Sequence, residues 1–290
     1  MKPVLEKIPT GNFSFFVKRI EAAYLEHPWH YHPEYELVLI EKGYGMRFMG
    51  DHVDQFSDGD LVFIAPNLPH VWKNHKDFYK PQSTLFTRCV VIHFGEKAFG
   101  NEFFHLPEFV HLQNLFAKAK QGILIKEATR SQVIEKMITL HQSNGIRRII
   151  LLLEIFEILL SQESNLESLS SKGFANAFNL VDSDRINKVY QYVVQNFSGN
   201  IQIEEIIKLV NMTQPSFCRY FKSRTGKTFT GFVNDIRISY ACKLLQNNEL
   251  TINQIAYECG FGQAPYFIKL FKKQFQKTPL EYREVFGKGI

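Results

Sequence analysis

Cysteine is scarce in this chain: four in 290 residues, at Cys89, Cys218, Cys242 and Cys259. They form no CxxC pair and no zinc-type cluster. Thiols so few and so scattered read as reduced, packed side chains of a reducing compartment. A long apolar run is missing too. The longest, IILLLEIFEILL from Ile149 to Leu160, is interrupted by Glu154 and Glu157 and falls short of the ~20 residues a membrane span needs. The opening stretch, MKPVLEKIPTGNF, holds no apolar signal-peptide core. The expectation is a cytoplasmic protein with no membrane partner.

Aromatic residues, by contrast, are plentiful, with 27 Phe and 12 Tyr. They fill cores, line small-molecule pockets and anchor interfaces, so they point to no single function. The length is enough for two domains, each with its own core. Charge is uneven. From 183 to 290 there are 15 Lys and Arg against 8 Asp and Glu, whereas 1 to 182 has 19 against 21. A basic C-terminal third on a slightly acidic remainder points to a polyanion partner for one domain, with a solvated charged surface as the plainer reading.

Three regions follow along the chain. Between 10 and 100, β-rich runs at Glu36–Glu41, Gly45–Met49 and Leu61–Ile64 alternate with turn-forming pairs such as Lys42-Gly43 and Asp58-Gly59. Short, regularly spaced strands predict a barrel or double-sheet sandwich. Between 107 and 163, PEFVHLQNLFAKA, SQVIEKMITLHQ and GIRRIILLLEIFEILLSQ carry helical spacing. The last is apolar on more than one face, which suits burial in the core or a second subunit equally. A stretch rich in Ser and Asn reads as a linker, and from 182 onward the pattern is helical. The expected class is α+β multidomain: a barrel over 1–105, a helical, dimerising segment over 106–164, a linker over 165–181 and an all-α domain over 182–290.

The C-terminal third repeats itself. Ile203 and Ile206 match Ile252 and Ile255 at an offset of 49, and Phe217, Phe221, Lys222 and Thr228 match Phe267, Phe271, Lys272 and Thr278 at 50. Each copy reads as a short helix, a turn and a second helix with two phenylalanines four apart on its buried face. Thr213 stands where it can cap the first of these second helices. Their exposed faces carry Gln214, Pro215, Cys218, Arg219 and Lys222 in one copy, and Gln263, Tyr266, Lys269 and Lys272 in the other. A polar, basic second helix fits a DNA major groove, with Arg and Gln suited to base edges and Lys222 and Lys272 to phosphate. Between the copies lies TGFVNDIRISYACKLLQ, a connecting helix with Ile236, Tyr240 and Leu244 as its buried stripe.

These residues resemble the DNA-binding domain of AraC-family (AraC/XylS) transcription regulators. RYFKSRTG (219–226), IR…ACKLL (236–245), IAYECGF (255–261) and FKKQFQKTPLEYR (271–283) carry the resemblance. Two positions depart from it. Ile207 stands where the family usually has Ala, and Gln276 where a Gly usually ends the second reading helix. Gln276 must therefore take up a helix-ending conformation without glycine's tolerance of positive φ.

Near the other end, WHYHPEYE (29–36) gives H-x-H-x-x-x-E, and GDLVFIAPNLPHVWKN (59–74) follows. The two stretches resemble the paired motifs of the cupin barrel. In metal-binding cupins the matching positions, His30, His32, Glu36 and His70, are ligands, and such a set suits a divalent transition metal. Sensor domains of AraC-family regulators share the barrel and generally bind a small-molecule effector in it. A bound metal, an effector pocket without metal and a purely structural histidine pair all remain open. The leading reading is a homodimeric, non-enzymatic regulator of double-stranded DNA under effector control, with carbohydrate as the expected effector. The alternative is a metal-dependent cupin enzyme, or a metal or redox sensor, joined to a DNA-binding domain. An architectural DNA binder without a sensor fits less well, because compaction needs no cavity.

Overall fold

A computed structural model describes residues 4–6, 8, 13–171, 183–246 and 250–286. The chain divides into two compact units, one of 3–52 and 56–178, the other of 179–290 with 1–2 and 53–55.

The N-terminal unit holds two sheets, except that 53–55, in the last strand of the first, are assigned to the other unit. Strands β1 (Val4–Leu5), β3 (His30–Tyr31), β8 (His70–Asn74), β5 (Gly45–Met49) and β6 (His52–Phe56) form one, in that order. The other runs β11 (Leu166–Ser168), β10 (Ile123–Ile125), β7 (Leu61–Ile64), β4 (Tyr35–Lys42), β9 (Thr87–Phe94), β2 (Phe15–Ala22). The three runs singled out in the sequence are strands β4, β5 and β7. Strands β10 and β11 are a correction. The first lies inside the stretch read as helical, and the second inside the stretch read as linker. They pair with each other, and β10 also pairs with β7, which ties both to the barrel sheet. The rest of that stretch from 172 lies outside the described residues.

Strand β4 reads YELVLIEK, with few polar residues, because both its faces are covered. Side chains alternate along a strand. Tyr35, Leu37 and Leu39 pair across β9 with Phe94, Ile92 and Val90, and all six belong to the main hydrophobic core. The other set, Glu36, Val38 and Ile40, lies opposite His93, Val91 and Cys89 and lines the barrel cavity. Three helices cover the first set: α1 (Val110–Ala119), α2 (Glu127–Gln142) and α3 (Ile146–Ser161). Leu115 and Phe116, Val133 and Met137, and Ile155 and Phe156 enter the same core. Tyr35 stacks on Phe63, Phe94 and Phe116, and Phe156 meets Phe94 and Phe116 edge-on. Full burial of one such ring contributes about 1.5–3 kcal/mol, so the phenylalanine excess of this half goes into joining sheet to helices. Helix α3 keeps a free face, with Ile146 and Ile150 exposed.

The C-terminal unit is helical: α4 (Ser183–Asn196), α5 (Ile203–Val210), α6 (Gln214–Thr225), α7 (Phe229–Gln246), α8 (Ile252–Glu258), α9 (Ala264–Phe275) and α10 (Pro279–Phe286). Helix α7 is buried on more than the expected stripe. Its Phe232 packs on Tyr190 of α4 and Phe221 of the first repeat. Its Ile238, Cys242 and Leu245 share a core with Phe267 and Phe271 of the second. Tyr240 is only half-buried. Arg237 of α7 donates to the carbonyls of Phe197 and Gly199. Gly260, at φ +80°, presses on the same loop, where a Cβ would lie 2.6 Å from the Phe197 oxygen, so no larger residue fits there.

Matching residues of the two repeats share conformations. Asn211 and Gly260 in the turns, and Gly226 and Gln276 at the ends of the reading helices, all have positive φ. Gln276, at φ 56° and ψ 17°, does adopt the left-handed conformation, and its side-chain amide donates to the Lys273 carbonyl. That conformation strains a residue with a Cβ. Gln276→Gly is expected to raise the stability of this unit by roughly 0.5–1 kcal/mol, read from the urea midpoint.

Candidate functional site

The chain presents two separate sets of candidate residues, one in each unit.

In the C-terminal unit, helices α6 and α9 each turn two fully buried phenylalanines inward, Phe217 with Phe221 and Phe267 with Phe271. The remaining faces point to solvent. Gln214, Pro215, Cys218, Arg219 and Lys222 are all exposed on the first. So are Tyr266, Lys269 and Lys272 on the second, with Gln263 at its N-cap position. Lys273, seven residues after Tyr266 and so on its face, is exposed as well and was absent from the sequence-derived set. Thr213 occupies the N-cap position of α6, but its side chain makes no capping hydrogen bond, which corrects the role expected of it. Proline stands early in the first turn of both helices, where the missing amide costs nothing. Tyr266 is held in place: its hydroxyl accepts from the Asn234 side chain of α7.

In the N-terminal unit, His30, His32, Glu36 and His70 come together, and His30 and Glu36 line a cavity of about 130 Å³. All four are buried. Glu36 Oε2 lies 3.3 Å from His32 Nε2 and 3.0 Å from His70 Nε2. Strand pairing places them, with His30 opposite His70 between β3 and β8. The same pairing brings in a histidine with no motif around it. His93 lies opposite Glu36 between β4 and β9, its Nε2 3.1 Å from Glu36 Oε1. Its one signal in the sequence is alternation: Cys89, Val91 and His93 fall on one face of TRCVVIHF. The rest of the cavity wall is mixed, with Ile20, Val38, Ile40 and Val91 beside Glu6, Lys18 and His27.

The tautomers follow from the backbone. The Nδ1 of His30, His32 and His70 lies 2.9, 3.1 and 2.7 Å from the carbonyls of Pro28, Glu34 and Leu68. A carbonyl only accepts, so each Nδ1 carries the proton, and in the neutral ring Nε2 turns a lone pair towards the cluster. His70 Nε2 makes no hydrogen bond among the described residues despite its closeness to Glu36. His32 Nε2 hydrogen-bonds Glu36 Oε2 at 3.3 Å when that nitrogen carries a proton; without a proton, lone pairs facing a carboxylate repel it unless a cation sits among them. Fixed Nδ1–H donors behind inward Nε2 atoms are the outer shell that metal-binding histidines have. The donor set fits a divalent transition metal.

Without an ion, the charges settle differently. Burial alone would raise the Glu36 carboxyl, yet His70, His93 and His32 hold it well below the usual carboxylate range. Burial opposes protonation of His32 too, but the neighbouring Glu36 carboxylate prevails and raises it. His30 falls well below its ordinary value, through burial first and the nearby His70 second. As pH falls through 6.5, the unfolded chain protonates at His30 before the fold does, and below 4.5 it protonates at Glu36 before the fold does. Both differences remove stability in acid. His32 acts in the opposite sense, adding stability below 6.5 that is lost as pH rises through its folded value. The metal-free protein is expected to melt at progressively lower temperature on acidification, with His30→Asn flattening the part of the slope nearest 6.5. Melting curves of both proteins across this range check it.

Known proteins agree with both halves. Residues 206–284 match a helix-turn-helix domain, and residues 16–79 a cupin domain. The HTH-type transcriptional activator RhaS of Escherichia coli O139:H28 is 24% identical over 285 residues, covering 95% of this chain and 94% of that protein. The HTH-type transcriptional regulator YdeC of Bacillus subtilis is 24% identical over 274 residues, covering 89% and 86%. Among solved structures, ToxT of Vibrio cholerae O395 aligns over 96% of this chain and 99% of its own, at 18% identity and a TM-score of 0.37. The fold and the two domains define the class: a DNA-binding transcription regulator with a cupin domain ahead of its helix-turn-helix domain. Within that class the chain is similar to regulators of the AraC type. Among the described residues, no helix is long and apolar enough to cross a membrane.

Proposed function

We propose that this chain is a metal-responsive regulator of promoter DNA. Its barrel takes a divalent transition metal at His30, His32, Glu36 and His70, and the ion's presence changes how helices α6 and α9 meet the duplex. The three histidines tied by Nδ1 to main-chain carbonyls carry this reading, because their Nε2 atoms are left to face carboxylates, Glu36 for His32 and His70 and Glu6 for His30. When bound, the metal supplies a fixed positive charge at the centre of the cluster. Glu36 balances that charge, and the burial of all four residues keeps water from competing for it. A cavity of about 130 Å³ suits an ion better than a carbohydrate, since pockets for organic ligands usually start near ~300 Å³.

The barrel acts as a sensor and not as an enzyme, as befits a chain whose relatives are transcription regulators. It works where the promoter is, in the cytoplasm. Two subunits pair through the free face of α3, where Ile146 and Ile150 stand exposed. In the C-terminal unit, Gln214, Arg219, Gln263 and Tyr266 read base edges. Lys222, Lys269, Lys272 and Lys273 hold phosphate, and Pro215 and Cys218 pack against the groove wall.

Metal analysis of protein purified without added metal or a histidine tag tests the sensor half. Near one ion per chain, lost in the His30→Ala/His32→Ala double variant, is the expected result, and no ion in either protein sinks it. Arg219→Ala is expected to weaken binding to a selected duplex by about 1–3 kcal/mol while leaving binding to random DNA nearly unchanged. An equal loss on both duplexes places Arg219 on phosphate instead.

A further inference from the structure

We infer that His93 is a fifth ligand, so that the barrel holds one metal ion among five protein donors with little room for a substrate. The inference rests on the metal reading above and goes beyond the four positions of the cupin pattern. His93 is buried, and neither of its ring nitrogens has a hydrogen-bond partner among the described residues. Its Nε2 lies 3.1 Å from Glu36 Oε1, but out of line for a hydrogen bond. A buried imidazole left wholly unsatisfied costs free energy in a fold, and coordination removes that cost.

The spacing agrees. With metal–donor bonds of about 2.1 Å, neighbouring donors of a five- or six-coordinate ion stand roughly 3.0 Å apart and opposite ones roughly 4.2 Å. Glu36 lies 3.0, 3.1 and 3.3 Å from the Nε2 atoms of His70, His93 and His32. The donor atoms of His30, His32 and His70 all lie within 4.8 Å of one another, and so do those of His32, Glu36 and His93. The two triads share His32, whose Nδ1 is taken by the Glu34 carbonyl. A single Nε2 lone pair serves one ion, so one shared centre requires the five donors, which do not all lie within 4.8 Å of one another, to draw in around His32. Catalytic metal sites keep a position open, typically with three protein ligands, whereas filled sites hold their metal for structure or sensing. Five donors place this one with the second group.

Cobalt(II) titration of the full-length protein tests this, with visible spectra and chelator competition on the wild type, His93→Gln and His93→Cys. Wild type is expected to bind one cobalt per chain with the weak visible bands of a five-coordinate ion. His93→Gln is expected to lose about tenfold or more in affinity. His93→Cys is expected to gain a near-ultraviolet thiolate-to-cobalt charge-transfer band, which only direct coordination at position 93 produces. Unchanged affinity in His93→Gln without that band in His93→Cys overturns the fifth ligand and leaves the four-residue site standing. No cobalt bound by the wild type overturns both. If His93→Gln fails to fold, the band in His93→Cys decides alone.

Discussion

Replacing His32 by alanine is expected to weaken metal binding by roughly two to three orders of magnitude. Structural zinc sites bind with about 10–16 kcal/mol, and an even division among four or five ligands assigns each roughly 2–4 kcal/mol. His32 belongs to both donor triads, so its loss opens the centre on two sides. The substitution also strips Glu36 of a protonatable partner in the metal-free protein, the one whose proton-binding the carboxylate raises. His32→Ala should therefore lose metal and lower the melting temperature of the metal-free protein. Competition titration and melting curves check the two effects separately. A variant that kept its metal affinity would place the ion, if there is one, elsewhere.

Asp60→Ala is expected to destabilise the N-terminal unit by about 3–5 kcal/mol. Arg47 on β5 is completely buried, and its Nη1 donates to Asp60 Oδ1 in a short ion pair. The indole of Trp72 donates to the other oxygen at 3.4 Å. Arg47 Nε and Nη2 have no hydrogen-bond partner among the described residues, so Asp60 alone balances the charge. Removing it leaves a guanidinium buried without a counter-charge. Replacing Arg47 by Met in the same protein should recover much of the loss, because an apolar pair carries no desolvation penalty. Trp72, which holds Asp60 from the other side, also lines the cavity, so the single variant should disturb metal binding as well. Thermal unfolding of the two variants beside the wild type gives the comparison.

How much of this could be read beforehand varies with the length of the signal. The strands of β4, β5 and β7 were legible because their β-rich runs are bounded by turn residues. The tandem helices were legible because two copies of a pattern check each other, down to the left-handed residue at 276. Strands of three residues, as in β10 and β11, are too short to show any period. They exist because an open edge of the barrel sheet offers them hydrogen bonds. Helix α7 looked like one stripe because sequence shows a single preferred face, whereas the two repeats cover it from different sides. His30, His32, Glu36 and His70 came from motif spacing. His93 could not, since only the β4–β9 register sets it beside Glu36. The hint available was a lone histidine on the inner face of an otherwise apolar strand.

On the proposed reading, the state of the histidine cluster controls how the reading helices bind DNA. The most direct measurement is the affinity of the full-length protein for a duplex selected from a random library, with the metal loaded and with it removed by chelation. Coupled sites typically differ by 1–3 kcal/mol, about 5–150-fold in affinity. A difference in that range, abolished in His30→Ala/His32→Ala, is the result predicted. Equal affinities in the two states, with metal demonstrably bound in one, would contradict it.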